Sequence, residues 1–255
     1  MGPLAVSWPE DPERLAAIQR DLAAATPPPW WPPRGRPILV GGCFCCSPRG
    51  TEGRGDAGDE VWAAAVTIAS DTGRRVAARV HRGHAGAPYV TGQLARREGV
   101  ALEAAVRALP VQPDVLLVNA TGRDHPRRAG LALHLGAVLD LPTVGVTHRP
   151  LLATGAWPAD TAGATSPVVL EGEVVGAWMR TRATRRPLVV HAAWRTTPDV
   201  AVEVVRLATR VYRTPLPLRE ARQLARRARG RMSSAASSTS EASKPHERAD
   251  PAKDR

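Results

Sequence analysis

Apolar residues recur at helical spacing over residues 11–24, where Leu15, Ile18 and Leu22 fall three and four positions apart; the run Pro27-Pro28-Pro29 then ends the pattern. This predicts a first amphipathic helix packed on the outside of a sheet. The pattern next changes to apolar runs bounded by Gly and Pro at 37–44, 61–70 and 76–82, the first two separated by a Gly-rich loop over 47–59. Three strands in succession predict an antiparallel meander. Helical spacing returns over 91–109 through Leu94, Val100, Leu102, Val106 and Leu109, and Pro110 and Pro113 then punctuate a short apolar strand at 115–118. A helix over 127–139 and a strand over 143–146 follow, both apolar enough for a buried parallel pair joined by a crossover.

Further strands are predicted at 168–170, 174–179 and 188–191, and a helix over 199–211 follows Pro198. A basic helix over 218–231 carries Arg219, Arg222, Arg226, Arg227, Arg229 and Arg231. From Met232 onward the chain holds too little apolar surface to offset the entropy of ordering. The expected organisation is therefore one α/β domain over 1–230 and a disordered tail over 231–255. No internal repeat is visible.

With 43% hydrophobic residues in 255, the chain can bury one substantial core. No run of about 18 apolar residues is present, and the N-terminus lacks a basic region followed by an apolar one. The expectation is a cytoplasmic monomer with no membrane segment. Cys43, Cys45 and Cys46 lie too close together for a disulfide framework. The net charge of +11 points to a polyanionic partner, with DNA or RNA first among them. Lysine occurs only at Lys244 and Lys253, so this charge is nearly all arginine, a skew that a GC-rich coding sequence would also produce.

Two stretches carry the chemistry: Val118-Asn119-Ala120-Thr121-Gly122-Arg123-Asp124-His125-Pro126-Arg127-Arg128-Ala129-Gly130, and Pro142-Thr143-Val144-Gly145-Val146-Thr147-His148. Together they resemble endonuclease V, in which a strand ends in Asp-Gly-x-Gly, His-Pro-Arg follows, and a second strand ends in Gly-Val-Ala-Lys. The resemblance extends over residues 19–224. It implies a ribonuclease H-like mixed sheet, an antiparallel meander followed by β-α-β units and flanked by helices. It also implies hydrolysis of the second phosphodiester 3′ to deoxyinosine in DNA, or cleavage of inosine-containing RNA, with Mg²⁺ or Mn²⁺.

Carried over position by position, the family's Gly-x-Asp-x-x-Tyr/Phe is matched by Gly41-Gly42-Cys43-Phe44-Cys45-Cys46, so Cys43 stands at the first metal-binding aspartate. Asn119 stands at the second. The segment Pro88-Tyr89-Val90-Thr91-Gly92-Gln93-Leu94-Ala95-Arg96-Arg97-Glu98 resembles Pro-Tyr-x-Pro-Gly-x-Leu-x-x-Arg-Glu. It assigns Glu98 as a retained catalytic carboxylate and Tyr89 as the wedge beside a flipped base, with Gly92 in the same nucleic-acid-binding loop. His125 is kept, with Arg127 in its His-Pro-Arg motif. His148 replaces the lysine, and Trp194 a late histidine. The family builds its inosine pocket from the glycine turn; here Ala120 and Gly122 stand in that turn, and Ala120 adds a methyl group.

Taken singly, these residues also have plain structural readings. Glu98 is compatible with a solvated helix position, Tyr89 with a packing aromatic, His125 with a structural histidine and the three cysteines with small buried hydrophobes. A zinc site using Cys43, His148, Glu98 and His125 is a further alternative, since these are softer ligands. Losing two acids from a cation site predicts a nucleic-acid-binding relative with lost or reduced cleavage. The competing readings are an active nuclease in which Glu98 and unmatched acids such as Asp124 hold the metal, and an interaction scaffold that binds no nucleic acid.

Overall fold

The computed structural model describes residues 6–48 and 55–241. Helix α1 (Pro12–Ala24) opens with Asp11, whose carboxylate accepts from Arg14 N at 2.6 Å, and buries Leu15, Ile18 and Leu22. Its buried face sits in the helical layer against α3 (Leu131–Leu139). The meander expected from the sequence is present as β1 (Leu39–Cys46), β2 (Glu60–Ala69) and β3 (Arg75–His84), paired antiparallel. Strand β1 begins two residues later than its apolar run, because Pro37 has no N–H and Ile38 N donates to the Ser70 hydroxyl at 2.9 Å.

Helix α2 (Leu94–Arg107) leads into β4 (Val115–Val118), and β5 (Thr143–Thr147) follows α3. Strand β4 lies parallel to both β1 and β5, so the crossover expected between 115 and 147 is realised. A second antiparallel group, β6 (Thr165–Leu170), β7 (Glu173–Met179) and β8 (Leu188–Ala192), joins through β8 against β5. The result is one eight-stranded mixed sheet in the order β3-β2-β1-β4-β5-β8-β7-β6. This is the ribonuclease H-like arrangement that the motifs implied.

Alternation along the central strands divides the core into two layers. Leu116, Val118, Cys43 and Cys45 face the layer of α1, α2 and α3. Val115, Leu117, Val144 and Val146 face α4 (Pro198–Ala208). Helix α5 (Leu216–Glu241) covers β1 and β2 on that second side, and Ala221 is fully buried there with Val66 and Ile68. Its docking requires Gly42: a β-carbon at that position would lie 2.4 Å from the backbone carbon of Pro217.

Helix boundaries differ from expectation where backbone conformation overrides apolar spacing. Helix α2 starts at Leu94 rather than 91 because Gly92 has φ +79°. Helix α3 starts at Leu131 rather than 127, because Arg128 has φ +55° and Gly130 is extended. Helix α4 ends at Ala208 rather than 211, where Thr209 turns extended. Helix α5 runs to Glu241, ten residues past the end expected from its arginines, while the rest of the expected tail lies outside the described residues. Among the described residues no helix is long and apolar enough to cross a membrane.

Candidate functional site

The site forms where β1, β4 and β5 end on the same edge of the sheet. Cys43 pairs with Val118 across β1 and β4, so Cys43 and Asn119 sit at neighbouring strand ends. Glu98 on α2 faces them. Burial raises the thiols of Cys43, Cys45 and Cys46 most, and the charge of Glu98 raises each of them further. Glu98 itself is pushed up from 4.5 to about 7, chiefly by burial and against the opposing charge of Arg97. The structure thus brings Cys43 and Asn119 to neighbouring strand ends, with Glu98 near enough to Cys43 for its charge to act on the thiol.

Arg97, which the sequence reading passed over, organises this edge. Its guanidinium is buried, donating to Ala87 O at 2.8 Å, Asp56 O at 3.1 Å and the Ser47 hydroxyl at 3.2 Å, and pairing with Asp59 at 3.2 Å. It thereby joins the β1–β2 connection to the turn that carries Tyr89. Its place beside Glu98 in the Arg-Arg-Glu motif was the available signal.

Next to Asn119 a cavity of about 180 Å³ opens between the Tyr89 loop, the turn after β4 and the end of β5. Asn119, Ala120, Thr121, Gly92, His125 and Gln19 line it, with Tyr89 at the rim and 45% exposed. Ala120 is buried, and its methyl group occupies space that glycine would leave open. Gly122 does not line the cavity. It lies against β8, where a β-carbon would come within 2.1 Å of Ala192 O. Gln19, Thr91, Thr121, Thr147 and Leu151 are wall residues that sequence reasoning missed, since nothing in their local pattern separates them from loop and helix surface.

His125 fixes this wall. Its Nδ1 accepts from Arg127 N at 3.1 Å, which leaves the proton on Nε2 to donate to Gly92 O at 3.0 Å. Burial holds the ring well below the usual histidine range, at about 4, so it is neutral. Arg127 donates to the same Gly92 carbonyl at 3.0 Å and to Gln19 Oε1 at 2.6 Å. The His-Pro-Arg motif thus holds the glycine loop in position.

The family model for endonuclease V matches residues 50–223. The chain is 42% identical to the endonuclease V of Methanopyrus kandleri over 175 residues, 69% of this chain and 76% of that protein. It belongs to the endonuclease V family. A crystal structure of the Streptomyces avermitilis endonuclease V superposes with TM-score 0.79 at 32% identity, over 89% of this chain and 96% of that one. The Ciona intestinalis endonuclease V, solved in complex with a 24mer DNA containing an inosine followed by a ribo-adenosine, shares the fold at TM-score 0.71. At 18% identity, covering 86% of this chain and 98% of that one, it shows the fold alone.

As a member of this family the chain departs from it in its donor set. A hard divalent cation requires several oxygen ligands carrying negative charge. Here the edge offers a buried thiol, a neutral amide and one carboxylate raised to about 7. These residues do not fit Mg²⁺ or Mn²⁺. Asp124, expected as a substitute ligand, is fully buried. Its oxygens accept from Leu151 N at 2.6 Å, Leu152 N at 2.9 Å and Ala153 N at 2.9 Å, so it is committed to the loop after β5.

The zinc alternative fails as well. His125 is committed to Arg127 and Gly92, and His148 is exposed beside Arg213 and Arg222. Among the described residues no three His, Cys, Asp or Glu side chains are placed to hold a metal ion. Trp194, at the late histidine position, is buried in the helical core, with its β-carbon packed over Gly136. His191, unassigned from the sequence, is fully buried, 3.8 Å from Asp124, with Nε2 2.8 Å from the Thr147 hydroxyl.

Proposed function

We propose that this protein binds inosine-containing nucleic acid through the cavity beside Asn119 and has lost, or strongly reduced, metal-dependent cleavage. The observation that carries the reading is the pairing of Cys43 with the residue preceding Asn119. It sets a thiol and an amide side by side at the two aspartate positions and leaves Glu98 as their one carboxylate. Two-metal phosphodiester hydrolysis depends on clamping both the attacking and the leaving oxygen, and such a donor set supplies too little negative charge to hold the ions.

The binding half of the reading rests on geometry that remains intact. At about 180 Å³ the cavity is smaller than the ~300–1,000 Å³ of pockets that take drug-sized ligands, a scale that suits a single planar base. Tyr89 stands at its rim, where an aromatic ring can fill the gap left by a flipped base. The DNA complex of the Ciona intestinalis protein places nucleic acid on this fold in a relative. The Ala120 methyl narrows the pocket floor, so the preference among purines is set by a tighter wall than glycine would give.

The test is incubation of labelled deoxyinosine-containing DNA and inosine-containing RNA with Mg²⁺ or Mn²⁺, alongside a binding titration and the Glu98→Ala variant. Binding without cleavage is expected. Cleavage at the second phosphodiester 3′ to deoxyinosine that Glu98→Ala abolishes would overturn the proposal and establish a working nuclease with substituted ligands. Absence of binding at every salt concentration would favour an interaction scaffold.

A further inference from the structure

The strongest unexplained feature lies on the other face of β1. Arg222 and Arg226, one turn apart on α5, point their guanidinium groups at the ring of Phe44 from 5.0 and 6.0 Å. Phe44 directly follows Cys43. Arg229 extends the row by donating to Ser47 O at 3.0 Å, and His148 at the end of β5 lies beside Arg222 and Arg213. Arg213 is held in place by Arg186 O at 2.6 Å and Pro187 O at 3.0 Å.

Other arginines of this chain are matched to acids, as in Arg75 with Glu220, Arg82 with Glu60, Arg107 with Glu103 and Arg206 with Glu203, or donate to backbone carbonyls, as Arg123 does to Ala23 O and Arg210 to Asp71 O. Among the described residues neither Arg222 nor Arg226 has an acidic partner, and the half-buried Arg222 Nε is without a hydrogen-bond acceptor. Desolvated like charges disfavour each other. Burial and Arg226 lower Arg222, while burial, Arg213 and Arg222 lower His148. An anion would relieve the charge repulsion.

The row also borders the candidate site. The thiol of Cys46 is raised by burial and by Glu98 but lowered by Arg229 and Arg226, so one side chain lies within reach of both groups. Planar guanidinium groups held over the face of an aromatic ring can still donate from their edges to phosphate oxygens.

We infer that Arg222 and Arg226, with Arg213 and His148, form a phosphodiester-binding site that holds the nucleic-acid backbone at the end of β1, across the strand from Glu98, without a divalent cation. The inference rests on the proposed nucleic-acid-binding reading and supplies its electrostatic anchor. Positive charge that relatives would recruit as metal is here built into α5 and the loop before it.

The experiment is fluorescence anisotropy of a labelled single-stranded, deoxyinosine-containing oligonucleotide with the full chain, in EDTA and in Mg²⁺, over a range of salt. Equal affinity in EDTA and Mg²⁺ is expected. Arg222→Gln combined with Arg226→Gln should weaken binding by about tenfold or more and flatten the log-log salt slope by roughly 0.7 for each phosphate no longer neutralised. Arg222→Lys, which keeps the charge, should retain the slope and so separates removal of the cationic group from damage to the fold. Inorganic phosphate should displace the strand no better than chloride at matched ionic strength.

Binding that requires Mg²⁺, or an unchanged affinity and slope in the double variant, would overturn this site while leaving nucleic-acid binding by the protein intact. Displacement by low inorganic phosphate would make a free phosphate the ligand and also overturn it. No binding by the unmodified protein would remove both this inference and the functional reading on which it rests.

Discussion

Glu98 shows how the loss of neighbours changes what a retained residue does. A carboxylate between two acids and a metal would be held ionised, whereas here burial against thiols raises it to about 7. The folded-state value lies above the ordinary 4.5, so the stability contributed by the protonated form is complete below pH 4.5 and is lost as pH rises through 7. The loss is on the order of 2 kcal/mol once partial exposure is allowed for. Glu98→Gln should therefore be more stable than the unmodified protein at pH 8 and nearly equal to it at pH 4.5, as read by urea denaturation at both values. Identical pH dependence in the two proteins would show that Glu98 is not buried as described. Asp124 illustrates the opposite case, a buried carboxylate with three backbone donors. Asp124→Asn turns an amide donor toward N–H groups and should cost about 3 kcal/mol, lowering the midpoint of thermal unfolding; a shift within error would contradict its anchoring of the loop after β5.

At the scale of elements, the site depends on helices docked against strand ends. Helix α5 brings its arginines to Phe44 because Gly42 lets Pro217 approach β1 and because Ala221 and Ala225 are fully buried. Gly42→Ala should separate α5 from β1 and cost about 1–3 kcal/mol through overpacking. The same variant should weaken oligonucleotide binding, and limited proteolysis would show faster cleavage near residues 213–216. An unchanged proteolysis pattern would mean that α5 is held mainly by its other neighbours. On the opposite face, α2 carries Glu98 while Arg97 on the same helix fastens the Tyr89 loop, so one helix sets both the carboxyl and the pocket rim.

The whole molecule carries an acid-sensitive charge balance. His125 and His134 are held neutral by burial, each at about 4, and burial likewise lowers His191 against the pull of Asp124. The unfolded chain binds these protons near 6.5, so the stability they represent is present above pH 6.5 and is lost as pH falls through 4. Glu98 gains stability over part of that range, but one carboxyl is opposed by three imidazoles. Urea midpoints should therefore fall steeply between pH 6.5 and 4, with the excess of +11 in formal charge adding to the loss. A flat profile across that window would show that the histidines are accessible to protonation in the fold.

Legibility from the sequence followed the range of the interaction. Strands appeared as apolar runs, the meander and crossover followed from their order, and Glu98, Tyr89 and His125 were legible because short motifs place chemistry at set spacings along one chain segment. Helix starts were less legible: the spacing of Leu94 or Leu131 carries no mark of a left-handed residue at Gly92 or Arg128 just before it. Asp124 looked like a spare metal ligand from its sequence position alone. Only the fold revealed that three amides nearly thirty residues away claim its oxygens. Trp194 likewise became a core residue only when α3 packed over it, and Arg222 became a neighbour of Phe44 only when α5 crossed β1. The sequence by itself determined which strands and chemical groups this protein has, because those depend on local periodicity and residue type. Tertiary structure decided which groups meet, because burial, charge pairing and donor satisfaction arise between segments far apart in the chain.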